Sequence, residues 1–240
     1  MDRSSVAALV LALGVALGGF FVGAGFARGR SADRYVEVKG LAEREVIADL
    51  ALWPLRFAAS ANELPAAQAQ ITRSTQQIRE FLMANGIDGA AAELQNLQVS
   101  DANTNRYQTD RSGPRFIIEQ TLMVRSEMPE VLQAASQRVS DLVSAGVVLS
   151  SAGEFGTGGP TYIFNGLNAL KPMMIAEATA NARAAAEQFA RDSGSTLGGI
   201  RQANQGVFVI LPRDQAPGVN EGGQLRKTVR VVSTVQYFLE

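Results

Sequence analysis

The chain has 240 residues and a near-neutral balance, with 22 Lys and Arg against 23 Asp and Glu and a net charge of −1. It contains no cysteine and no histidine, which excludes disulfides, thiolate nucleophiles, cysteine- or histidine-based metal sites, Ser-His-Asp triads and Cys-His dyads. Without a clustered basic stripe to neutralise phosphates, nucleic acid is not an expected partner.

The first predicted element is Val6 to Phe26, VAALVLALGVALGGFFVGAGF, twenty-one residues without a charge or a proline. As a helix it would reach about 30 Å, the thickness of a bilayer's hydrocarbon core. Two readings follow, a retained signal anchor or a cleaved signal peptide. The run is longer than a usual signal core, and Gly25-Phe26-Ala27 is a poor cleavage site, so the anchor is favoured. Arg28, Arg30 and Arg34 follow the run and only Arg3 precedes it, which counted strictly keeps the body in the cytoplasm. Long domains cross largely regardless of charge, and export to the periplasm with an inner-membrane tether is the expectation. Gly14, Gly18 and Gly25 fall near one helical face, a close-approach pattern for packing between membrane helices. The organisation expected is an anchor over residues 1–27, a polar linker over 28–34 and one domain over 35–240.

Beyond the linker, Tyr35 to Gly40 alternates as a strand. Arg44 to Ala61 reads as a longer strand, apolar on both faces, in which Pro54 implies an edge or a bulge. Leu64 to Asn85 switches to helical spacing, with Pro65 in its first turn and Gly86 after its end. Strands are predicted over Glu93 to Ser100 and Phe116 to Arg125 around the polar loop DANTNRYQTDRSGPR. Pro129 opens a helix with Leu132, Ala135, Val139 and Leu142 on one face, ending at Gly146. A strand pair is predicted from Val147–Phe155 and Thr161–Phe164. The longest helix runs from about Asn168 to Asp192, burying Ile175, Ala178, Ala182, Ala186 and Phe189. Gly206 to Leu211 and Arg226 to Leu239 close the chain as strands. Strand-strand-helix three times over, with a final strand pair, predicts an α+β fold of antiparallel sheet covered by helices.

Chemistry is sparse. Glu43, Glu45 and Asp49 could do acid–base work as separated carboxylates, though solvated strand and turn residues are the simpler account. Lys39, Lys171 and Lys227 are the only lysines, and none sits in a Ser-x-x-Lys arrangement. The glycine pairs at 158–159, 198–199 and 222–223 open no phosphate-binding loop with a lysine. No catalytic, cofactor or metal residue is assigned. Trp53, Phe57 and Tyr162 could line an apolar groove, although a tryptophan in an apolar strand such as Trp53 is more often core.

Three stretches carry a family resemblance: VEVKGLAEREVIADLALWPLRF at 36–57, FNGLNALKPMMIAEATANARAAAEQFARDSGS at 164–195 and RKTVRVVSTVQYFL at 226–239. Together they resemble the SIMPL-domain family over essentially all of 35–240. The resemblance implies an α+β fold, exposure in the periplasm, homo-oligomers of ring-like or channel-like form, and a link to envelope and oxidative-stress tolerance. It brings no catalytic constellation. The leading expectation is a tethered, non-enzymatic assembly whose long strands, Arg44–Ala61 and Arg226–Leu239, offer edges for self-pairing. The alternatives are a ligand-binding or chaperone-like module with the groove named above, and a hydrolase using Asp and Glu alone.

Overall fold

The computed structural model describes residues 12–24, 34–104, 113–150 and 159–240. The fold is α+β, with two antiparallel sheets and the helices α1 (12–24), α2 (Leu64–Ala84), α3 (Pro129–Gln137), α4 (Ser140–Ser144) and α5 (Leu167–Asp192). The strands are β1 (Tyr35–Ile47), β2 (Leu50–Ala61), β3 (Ala92–Asp101), β4 (Phe116–Ser126), β5 (Val148–Leu149), β6 (Thr161–Ile163), β7 (Leu197–Gln205), β8 (Val209–Pro212) and β9 (Arg226–Leu239). The chain divides into two compact units, one of Arg44–Leu170 and Ile210–Val229, the other of Met1–Glu43, Lys171–Val209 and Arg230–Glu240. Among the described residues no helix is long and apolar enough to cross a membrane. α1 covers the middle of the apolar run, and residues 6–11 and 25–26 of that run lie outside the described residues.

In the first unit the sheet order is β3-β4-β2, and the far side of β2 is shared by the short strands β5 and β6. β2 and β4 are paired from Ala51↔Ser126 to Ala61↔Phe116. Because paired residues face the same way, this register sets Trp53, Leu55 and Ala59 beside Val124, Leu122 and Ile118 on one side. α2 covers that side with Ala67, Ile71, Ile78 and Leu82, and Leu132, Ala135 and Leu142 of α3 and α4 complete the core. Each large side chain buried this way contributes roughly 1.5–3 kcal/mol. Pro54 lies between the β6 partners (Leu50–Leu52) and the β5 partners (Phe57–Ala58), where no described residue pairs with β2 on that side. α2 ends as expected, with Asn85 as cap and Gly86 at φ 79°.

The second unit is a close contact between a strand and a helix. Val38 and Ala42 of β1, Val231, Val235 and Tyr237 of β9, and Met174, Ala178, Ala182, Ala186 and Ala190 of α5 are buried. At Gly40 a Cβ would stand 1.8 Å from the Ala178 carbonyl oxygen and 2.5 Å from the Ala182 amide nitrogen. Only glycine opposite alanine permits this separation.

Several expectations are corrected. The strand predicted over Arg44–Ala61 is two strands, interrupted at Ala48–Asp49, where the Ala48 amide donates to the Leu225 carbonyl (2.9 Å) and the Asp49 amide to that of Ile163 (3.0 Å). β1 and β2 then belong to different sheets. Of the predicted strand pair Val147–Phe155 and Thr161–Phe164, the described parts form the short strands β5 and β6, each paired with β2; residues 151–158 lie outside the described residues. The helix expected from Pro129 to Gly146 breaks at Arg138–Val139 into α3 and α4. The buried stripe of α5 keeps Ala178, Ala182 and Ala186 as expected and differs at its ends, where Met174 and Ala190 are buried in place of Ile175 and Phe189, the latter 58 % exposed. Gly40 lies against the middle of that stripe, at Ala178 and Ala182. The strand predicted over Gly206–Leu211 is shorter, as β8, and β7 precedes it with little apolar alternation, held as a strand by pairing with β9.

Gly40→Ala is expected to force β1 and α5 apart at a cost of about 3 kcal/mol, an overpacking loss at the upper end of its usual range. Urea denaturation of the full chain measures it.

Candidate functional site

The described part of the predicted membrane-helix face is open. Gly14 and Gly18 have no atom within 4 Å of the position a Cβ would take, and Gly25 lies outside the described residues. Trp53, Phe57 and Tyr162 are all in the core, at 1 %, 0 % and 4 % exposure. Their side chains pack against α2, α3 and neighbouring strands rather than presenting an apolar surface to solvent. Burial pushes the Tyr162 hydroxyl above its ordinary pKa, partly offset by its hydrogen bond with Ser136.

The three acidic candidates do not converge. Glu43 accepts from the Arg230 guanidinium. Asp49 is a corner brace: its carboxylate accepts from the Asn165 amide (2.9 Å), the Asn165 side chain (3.0 Å) and the Gly166 amide (2.9 Å), fixing the chain just before α5. Glu45 lies near Arg213. Among the described residues no cluster of three or more Asp or Glu side chains is arranged to hold a metal ion.

Lys227 was read from sequence as one lysine among three, and in the structure it is the fully buried one. Its ammonium donates to the Glu221 carbonyl (2.7 Å) and pairs with the Glu221 carboxylate. Nothing local in RKTVRVV marks it, because the burying turn, Glu221–Gly223, is assembled separately and capped by Asn220. An ammonium without this carboxylate would be an uncompensated buried charge.

Sequence reasoning also missed a cleft between α2 and β3. It encloses about 510 Å³ and is floored by Ile71, Leu94 and Leu97, with Thr72, Thr75 and Arg79 of α2 along one wall. The spacing of the apolar residues held the signal. Leu94, Leu97 and Val99 do not follow the period of two that a regular strand requires. β3 absorbs the irregularity with a bulge, in which Asn96 and Leu97 stand opposite the single residue Gln120 and Asn96 takes φ 49°. A second, more polar cleft of about 660 Å³ is lined by Arg56, Asn96, Gln98, Glu119 and Thr121, with Phe57, alone of the three predicted groove residues, also bordering it. At the foot of the β3–β4 hairpin Arg115 donates to both Asp101 oxygens (3.2 and 3.1 Å), and that bonding holds the Asp101 carboxyl below its usual pKa.

The profile of the SIMPL family, described as protein of unknown function (DUF541), matches residues 36–237. The chain belongs to the SIMPL family. No curated protein matches it. All three stretches that suggested the family overlap the match. The SIMPL region takes in nearly all of β1 at one end and of β9 at the other, and both clefts lie inside it.

Two measurements check the buried groups. Glu221→Gln is expected to cost about 2 kcal/mol in urea denaturation, discounted for the partial exposure of Glu221, and Lys227→Met is expected to cost less, because it removes the charge with its need for a partner. Tyr162 is protonated more tightly in the folded chain, so its contribution is complete below the ordinary tyrosine pKa of about 10 and is lost as pH rises through the higher folded value. Tyrosinate absorbance on alkaline titration should show a late phase that Tyr162→Phe removes.

Proposed function

We propose that this SIMPL-family chain is a non-enzymatic envelope protein, tethered to the inner membrane through residues 6–26, that works in the periplasm as a ring-like or channel-like homo-oligomer. Envelope or oxidative-stress tolerance is the physiological setting in which such an assembly would act. The tether rests on the uncharged run Val6–Phe26, and the non-enzymatic reading on a sequence without histidine or cysteine.

The observation that carries the assembly is a strand edge, open among the described residues, with exposed apolar side chains on it and just beyond it. β7 is hydrogen-bonded on one side, to β9. Along and beyond it Ile200, Val207 and Val209 are 55 %, 83 % and 44 % exposed. An unpaired strand edge with exposed apolar side chains is a template for another chain unless something covers it, and a closed ring covers every copy alike. The edges expected from sequence, on β2 and β9, are not available, since both strands have neighbours on both sides. A shared membrane would raise the local concentration, so modest contacts suffice.

The full chain in neutral detergent is expected to give a discrete multimer by light scattering, and Ile200→Glu with Val209→Glu to reduce it to a monomer. Protease added to intact spheroplasts is expected to digest the body. A monomeric unaltered chain at high concentration, or a protected body, removes this reading.

A further inference from the structure

We propose that the cleft between α2 and β3 binds a single-chain amphipathic carboxylate, a fatty acid by chemical class. Its volume of about 510 Å³ lies within the roughly 300–1,000 Å³ of small-molecule sites. Its floor is aliphatic, from Ile71, Leu94 and Leu97, and the two leucines are 45 % and 56 % exposed although they sit above the core.

The polar groups of the wall are mostly satisfied within α2. Thr72 donates its hydroxyl to the Gln68 carbonyl (2.9 Å) and Thr75 to that of Ile71 (2.9 Å), and the Gln76 side chain donates to Glu80 (3.0 Å). Arg79 differs. Its Nε is buried and has no hydrogen-bond partner among the described residues. Arg73 also lines the cleft, and no Asp or Glu does. A buried guanidinium nitrogen without an acceptor is costly, and a carboxylate in the cleft, met by a small turn of the Arg79 side chain, is the acceptor its planar fork fits. An apolar floor and a cation without a partner among the described residues together call for a ligand with an aliphatic body and one anionic end.

An extended peptide added to the edge of β3 would be the other natural occupant of a groove between helix and strand. The bulge argues against it. Asn96 at φ 49° interrupts the ladder beside Leu97, where such a peptide would have to pair.

Native mass spectrometry of the full chain, released from neutral detergent after titration with palmitate, hexadecanol or hexadecyltrimethylammonium, tests the assignment. One palmitate per chain is expected, retained at least about tenfold more tightly than either other amphiphile. Arg79→Gln should weaken palmitate about tenfold, the scale of one charge-assisted hydrogen bond, and leave hexadecanol unchanged. Arg79→Lys should restore part of the loss. Leu97→Glu, at an exposed site, should abolish palmitate binding without changing the unfolding midpoint, and Phe189→Glu on α5 should change nothing. Equal retention of palmitate and hexadecanol, indifference to Arg79→Gln, or retention of an extended peptide in place of palmitate would overturn the proposal.

Discussion

The ladder between β2 and β4 joins residues up to 75 positions apart, Ala51 to Ser126, and the first unit is arranged around it. It brings the side chains of both strands onto a common face, and α2 can bury its stripe only against that face. It also puts β3, the hairpin partner of β4, at the rim of the sheet. The bulge in β3 then turns an awkward apolar spacing into a cleft wall. The place where α2 overhangs the rim follows from the ladder register, so the cleft is a consequence of strand pairing and not of any local motif.

The other unit depends on the absence of side-chain volume. Gly40 lets β1 approach the backbone of α5 at Ala178 and Ala182, in the middle of the buried stripe of the helix. The chain accepts the weak helix-stabilising contribution of so narrow a stripe in exchange for dense packing, with Phe189 left outside it. The outer side of this sheet is polar by contrast. Gln236 donates to Glu37 (2.7 Å), Arg201 donates to Gln236 (3.2 Å), and the Arg201 guanidinium stacks 4.1 Å above the Tyr35 ring. Such exposed contacts fix side-chain positions more than they add stability.

Several charges among the described residues have structural employment. Asp49 braces the corner before α5, Glu43 pairs with Arg230, Asp101 with Arg115, and Glu221 with buried Lys227. Arg79 differs in having its Nε buried without a partner among the described residues, beside an aliphatic cleft, and buried polar groups left in this way point to ligands more often than ion pairs do.

The sequence by itself determined the α+β class, the boundaries of α2 and β9 to within a residue, and the family, because these rest on local periodicity, on proline and glycine at helix ends, and on long contiguous motifs. It located Trp53 and Phe57 in an apolar strand but left core and groove open. Only the tertiary structure decided that β1 and β2 part into different sheets, that β5 and β6 share β2, that Lys227 is buried and that Arg79 overlooks a cleft. Each of these depends on partners far away in the chain. A strand's pattern of side chains says which face is apolar, and it carries no record of which other strand will lie beside it.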